Sequence, residues 1–375
     1  MLNFVVVANS ENRRVGFLQQ ALEHFGLPPA TVVTYSELIA GKDTLERFDA
    51  PDTIIRFDSP EKNFEVEKAI IAAGASVPDA GKQQRISAAD AAALEFDKGR
   101  ILYPRQWYLG WRHLLQQWEN QLQCPTMNAP ADIAAMFDKP LCHQLFETHG
   151  IPVPRSLGAL GCYDELRSAM QSQGCSRVFV KLAHGSSASG VVAYHANPLG
   201  ESAITTVERV RENHQTLLYN SRKIRNYTRH EEIVDIINIL CYEGVQVEEW
   251  LPKARWQNRE FDLRVVAIAL EAQHIVVRVG KSPMTNLHLG SDRGDTEEFL
   301  NLVGKNWEAM KQTCQAAAAL FSNSLYSGID LLIYPDLQRH AILEINAFGD
   351  LLPGITWNGF DTYTSQVKAI LQAAT

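Results

Sequence analysis

Gly328-Ile-Asp330-Leu-Leu-Ile-Tyr334 and His340-Ala-Ile-Leu-Glu344-Ile-Asn346 flank the polar run Pro335-Asp336-Leu337-Gln338-Arg339. The flanks are β-branched and alternating, and the run between them is turn material, so the stretch predicts a hairpin centred on Leu337. Such a hairpin sets Asp330 opposite Glu344. Side chains alternate faces along a strand, so Asn346 shares a face with Glu344. Two carboxylates opposed on one sheet face repel unless something neutralises them. Asp330, Glu344 and Asn346 offer three oxygen ligands, which suit Mg²⁺, an ion that commonly combines carboxylates with substrate phosphates. A solvated hairpin carrying incidental acids reads this stretch equally well.

Working outward, Phe179-Val-Lys181-Leu-Ala-His184-Gly185-Ser186-Ser187-Ala188-Ser189-Gly190 is a strand with one lysine that runs into a small, flexible loop. Backbone N–H and hydroxyl groups of such a loop can fold over phosphates while the lysine supplies charge. It is neither a Walker A loop nor a GxSxG nucleophile elbow. Phe137-Asp138-Lys139 opens a helix, and Val245-Gln-Val-Glu248-Glu249-Trp250 is an apolar strand ending in acids and an aromatic, able to take a purine by backbone groups and stacking. Phe261-Asp262-Leu-Arg264 and Arg278-Val-Gly-Lys281-Ser-Pro-Met284-Thr-Asn286-Leu-His-Leu-Gly290 add cations and an amide. Singly, these are a hairpin turn, a surface lysine, a core tryptophan and scattered charges.

Their order is more telling. Lys139, Lys181 with its loop, Glu249-Trp250, Asp262/Arg264, Arg278 to Asn286, and Asp330 to Glu344-x-Asn346 together resemble the ATP-grasp superfamily. The likeness is greatest to the branch of ribosomal-protein S6 glutamate ligase and glutathione synthetase, and covers about residues 138–356. The resemblance implies an α/β fold of the α+β ATP-grasp kind. An N-terminal α/β pre-ATP-grasp domain (1–128) would precede a two-lobed ATP-grasp domain. One lobe (129–250) would carry the lysines and the Gly/Ser loop, the other (251–375) the metal and substrate residues. It also implies that Lys139 and Lys181 hold ATP phosphates under a loop containing Gly185, Ser186 and Ser187. Glu249 and Trp250 would meet adenine, and Asp262 the ribose. Asp330, Glu344 and Asn346 would ligate Mg²⁺, with Mn²⁺ as the alternative cation. Arg278 would steady an acyl phosphate, with Arg264 and Asn286 lining the same region. The implied activity is an ADP-forming carboxylate–amine ligase acting on a small-molecule or peptide substrate. A small-molecule kinase and a non-catalytic ATP-binding regulatory protein are the alternatives. Met284 departs from the pattern, since close relatives carry a basic residue there.

The rest of the chain sets bounds. Thirty-five Lys+Arg against 43 Asp+Glu leave a formal charge of −8 in 375 residues, which argues against a duplex nucleic-acid binder. Six dispersed cysteines without a CxxC pair predict free thiols in a reducing, cytoplasmic setting, and no apolar run is long enough for a membrane helix. A homo-oligomer stays open. Alternating strands (4–8, 31–35, 53–57) and helices (13–26, 65–74) predict a small, largely parallel α/β sheet. Residues 124–130 read as a linker. Arg56-Phe-Asp58-Ser59 and the aromatic, basic set Arg105, Trp107, Tyr108, Trp111 and Arg112 are candidate substrate contacts, with ordinary packing at least as good a reading. The basic run 222–230 could hold an acidic peptide or RNA, or simply face water.

Overall fold

The structure is a computed structural model that describes residues 2–79, 81, 83–186 and 188–373. Its first sheet is parallel, β2-β1-β3, from β1 (Asn3–Ala8), β2 (Thr31–Thr34) and β3 (Thr53–Phe57). The second is antiparallel, in the order β4-β9-β5-β6-β7-β8. It comprises β4 (Ser156–Gly158), β5 (Arg177–Leu182), β6 (Val191–Asn197), β7 (Gly200–Glu212), β8 (Gln215–Tyr227) and β9 (Val245–Glu249). The third runs β13-β12-β11-β14-β15, with β10 also paired to β11. Its strands are β10 (Arg255–Trp256), β11 (Arg259–Ile268), β12 (Glu271–Gly280), β13 (Asp292–Arg293), β14 (Tyr326–Ile333) and β15 (His340–Asn346).

β1 is apolar on both faces because both are covered. Val5 and Val7 enter one core cluster, Phe4, Val6 and Ala8 another, and residues of the third sheet belong to both. The second sheet has its own core, closed by helices Tyr163–Ser172 and His230–Glu243. β2 stops one residue before the expected end, because the Thr34 side chain accepts from Glu37 N and starts a helix at Tyr35. The expected linker is a structural seam. Met127 N donates to Ile55 O of β3, Leu325 N donates to Met127 O, and the Asn128 side chain pairs with both backbone groups of Tyr326 in β14. Residues 200–244 are a long hairpin, β7–β8, followed by the helix His230–Glu243. No helix among the described residues is long and apolar enough to cross a membrane. The six cysteines are free, and only Cys162 is not buried.

The helix Pro104–Glu119 crosses Phe64–Gly74 at very close range. A Cβ on Gly110 would lie 1.9 Å from Ile70 O, and one on Gly74 2.1 Å from Gln106 O. Gly110→Ala must push the two backbones apart, so we expect a loss of about 1–3 kcal/mol, read as a lower urea midpoint. An unchanged midpoint would contradict so tight a crossing.

Candidate active site

The β14–β15 hairpin pairs Asp330 with Glu344 and Gly328 with Asn346, as the sequence predicts. The route to that register differs. A bulge between Asp330 and Leu331 shifts the outer pairs, Leu331 with Ile342 and Ile333 with His340, so the turn is one residue tighter. The opposed carboxylates are neutralised here by the chain's own cations. Asp330 accepts from Arg264 Nε (2.5 Å) and from Arg278 Nη1 (3.1 Å), and Glu344 pairs with Lys139 Nζ (2.9 Å). Burial pushes the Asp330 carboxyl up, but Arg264 and Arg278 outweigh it and hold it below the usual carboxylate range. Asn346 Nδ2 donates to Gly328 O at 3.3 Å. Among the described residues no group of three His, Cys, Asp or Glu is placed to hold a metal. The hairpin supplies two carboxylates and one amide.

Arg278 comes from β12 and is 6% exposed. Its Nε donates to Asp262 Oδ1 at 2.7 Å. Burial pushes the guanidinium down, but Asp262 and Asp330 reverse this and raise it, so it stays charged. Asp262 Oδ2 accepts from Lys253 Nζ (2.9 Å) and from the Thr285 hydroxyl. Asp262, for which the resemblance implies a ribose contact, lines the narrower slot described below and has both oxygens engaged by protein donors. At 2% exposure it anchors Arg278 and Lys253. Lys253 was missed, because a lysine beside Pro252 reads as surface until its burial is seen.

Lys139 is the first residue of the helix Lys139–Thr148, which Asp138 caps by accepting from Leu141 N. Its ammonium also donates to Gly185 O at 2.5 Å. Lys181 on β5 pairs with Glu248 on the adjacent β9. Both lysines are thus aimed at one place and held there by acids. Gly185 and Ser186 begin the loop as expected, while Ser187 lies outside the described residues. Thr206 donates to Ala188 O at 2.8 Å, and Gly190 closes the loop at φ +64°, where a Cβ would also strike the Leu182 side chain at 2.5 Å.

These groups line a cavity of about 710 Å³ that Lys139, Lys181, Gly185, Ser186, Arg264, Arg278, Asn286, Asp330, Glu344 and Asn346 all reach. The N-terminal sheet contributes its edge through Asn12, Arg13, Arg14, Ser59 and Lys62. Among the described residues, eight basic and four acidic side chains line the cavity, so in a chain of net −8 this space favours an anion. A narrower slot of about 100 Å³ shares Lys181, Arg278 and Glu344, and has apolar walls from Phe179, Val191, Leu251 and Met284.

Glu249 lines that slot and pairs with Arg155 at 3.3 Å. Trp250, placed with Glu249 at the adenine by the resemblance, does not line it. It packs behind Phe179 (centroids 5.4 Å), with the Arg177 guanidinium over its other side, and Leu251 takes the inward position. Met284 is buried against Phe179 and Ala193, with Ile204 of β7 and Ile224 of β8 packed on them. A basic residue there would face an apolar wall, which accounts for the departure. Arg56 is wholly buried, bonded to Asp350 (2.7 Å) and Gln366 (2.6 Å), and Asp58 is buried beside it, so neither is a substrate contact. Trp111 and Tyr108 are core residues. In the basic run, Arg225 pairs with Glu208 and His230 with Glu201.

No protein-family model matches the sequence, and no curated protein matches it either. Solved structures do match over the whole length. One is the macrocyclase MdnC from Microcystis aeruginosa MRC, bound with its precursor peptide MdnA. It has 12% identity, covers 99% of this chain and 100% of its own, and gives a TM-score of 0.55. The D-cycloserine synthetase DcsG gives 0.57 at 12% identity, over 98% and 99% of the two chains. The ATP-grasp ligase PsnB, complexed with a phosphomimetic variant of its minimal precursor, Mg and ADP, gives 0.53 at 16% identity, over 100% and 99%. The mixed α/β chain has the fold of the ATP-grasp superfamily.

Proposed function

We propose that the protein is an ATP- and Mg²⁺-dependent carboxylate–amine ligase that forms an amide or peptide bond and releases ADP. The observation that carries this is the convergence of Lys139, Lys181 and Arg278 on one cavity opposite Asp330, Glu344 and Asn346. The donor chemistry fits the metal: two carboxylates and an amide oxygen are hard ligands with room beside them for phosphate oxygens. Bound Mg²⁺ would supply charge neutralisation on the phosphoryl group being transferred. Asp330, Glu344 and Asn346 would hold it.

Lys139 and Lys181 would exchange Glu344 and Glu248 for nucleotide phosphates, and Gly185 and Ser186 would offer N–H and hydroxyl donors. The slot walled by Phe179, Leu251 and Met284, with Glu249 also lining it, would take the base. A substrate carboxylate would attack the γ-phosphorus, expelling ADP and giving an acyl phosphate. An amine would then add to its carbonyl, lose a proton and expel phosphate. Arg278 and Arg264 supply fixed positive charge where the tetrahedral oxyanion develops, the kind of stabilisation that costs no reorganisation during the reaction. The PsnB complex with Mg and ADP supports the nucleotide reading. The peptide in MdnC supports a peptide as one class of substrate, and DcsG, a synthetase, supports a small molecule as the other.

Calorimetric titration with ATP tests the nucleotide half of this reading. Binding should require Mg²⁺, and Lys181→Met should weaken it by about ten- to a hundredfold, the worth of one charge-assisted phosphate contact. Equal affinity with and without Mg²⁺, or an unaffected Lys181→Met variant, would contradict it.

A further inference from the structure

We propose that Arg105, Tyr108 and His184 form a bracket that fixes the start of the loop after β5 in its phosphate-receiving shape, with Arg105 as a positioning residue. This rests on the nucleotide reading above. His184 directly follows Leu182-Ala183 at the end of β5 and directly precedes Gly185. It is 7% exposed, and its ring lies flat on Tyr108, with centroids 3.9 Å apart and planes at 4°. Its Nε2 is 2.7 Å from Arg105 Nη1, and its Nδ1 is 3.3 Å from Phe137 O.

A guanidinium only donates, so Nε2 must accept and Nδ1 must carry the proton toward the Phe137 carbonyl. One tautomer satisfies both partners. Burial, with Arg105 adding to it, drives the imidazole down to about 3, so it stays neutral and keeps that pattern throughout the working range. Arg105 is itself clamped from behind, donating to Asp79 through Nε (3.1 Å) and Nη2 (2.9 Å). In front, the Gly185 carbonyl accepts from Lys139, which pairs with Glu344. Contacts therefore run without a break from Asp79, through Arg105 and His184, to Lys139 and the carboxylate hairpin.

Arg105, Tyr108 and His184 line neither the large cavity nor the slot. They cannot act by touching a nucleotide there, only by fixing the loop and Lys139 that do line the cavity. This gives the helix Pro104–Glu119 a function: it carries Arg105 and Tyr108 one turn apart, on the face that meets His184.

The test compares Mg-ATP with adenosine, which lacks the phosphates, by calorimetry on the full chain. Arg105→Met should raise the Mg-ATP dissociation constant about tenfold and leave adenosine affinity unchanged. Arg105→Lys, whose single ammonium cannot hold Asp79 and His184 as the guanidinium fork does, should restore only part of the difference. Asp79→Asn, which loosens the clamp without touching the loop, should act in the same direction by about threefold, and serves if Arg105→Met does not fold. Equal losses for both ligands would mean a merely structural role, and no loss for either would overturn the bracket outright. Wild-type protein that does not bind Mg-ATP would overturn the nucleotide reading itself. Wild-type binding with unaffected variants overturns the bracket alone.

Discussion

Arg278→Met should cost about 3–5 kcal/mol of stability and abolish turnover. The arginine sits between two buried acids, donating to Asp262 at 2.7 Å and to Asp330 at 3.1 Å. Methionine matches it roughly in length but takes one donor from each acid, leaving Asp262 to Lys253 and Thr285 and Asp330 to Arg264. Breaking a buried pair costs more than the pair contributes, because an uncompensated charge remains in a low-dielectric site. Urea unfolding would read the stability, and ADP release the turnover. An Arg278→Met variant that unfolds at the wild-type midpoint would show that these carboxylates do not depend on Arg278.

Glu344→Gln is the complementary case, with a large effect on rate and a small one on folding. The substitution is isosteric and keeps an acceptor opposite Lys139, at a half-buried pair whose loss costs about 0–1 kcal/mol in comparably exposed settings. The carboxylate charge is what a metal-bound nucleotide would use. We therefore expect substrate-dependent ADP formation to fall roughly 10²–10³-fold with the urea midpoint almost unmoved. Full activity in this variant would remove Glu344 from the metal site. A large fall in stability would instead assign it to the fold.

How much of this is legible in the sequence depends on how local the cause is. The pairing of Asp330 with Glu344 is legible because a period of two and a polar turn fix a hairpin register within some twenty residues. The bulge beside Asp330 leaves no such trace, since either register keeps the apolar residues buried until the sheet's other strands are present. Lys139 at a helix start and Lys181 on a strand before a Gly/Ser loop are legible for the same local reason. Their acid partners are not: Glu248 comes from the adjacent strand β9, and Glu344 reaches Lys139 from the third sheet. Lys253 was missed on burial alone, since a lysine beside proline has an exposed reading. The seam at 124–130 looks like a linker because its hydrogen bonds run to β3 and β14, about 70 and 200 residues away in the chain. Arg56 and Asp58 fall in the place where α/β sheets bind ligands, yet Asp350 and Gln366, from the far end of the sequence, and Arg14, from the first helix, enclose them. Met284 is the instructive departure. The wall it completes is built from β5, β6, β7 and β8, so its identity follows from packing that no local pattern encodes.

The most direct measurement supplies the protein with ATP and Mg²⁺ and a panel of amino acids and short peptides, and reads the mass of what forms. The expected product weighs as much as a carboxylic acid and an amine together less one water, and appears with one ADP and one phosphate. A stable phosphoester in its place, or ATP binding with no ADP release across the panel, would contradict carboxylate–amine ligation in this cavity.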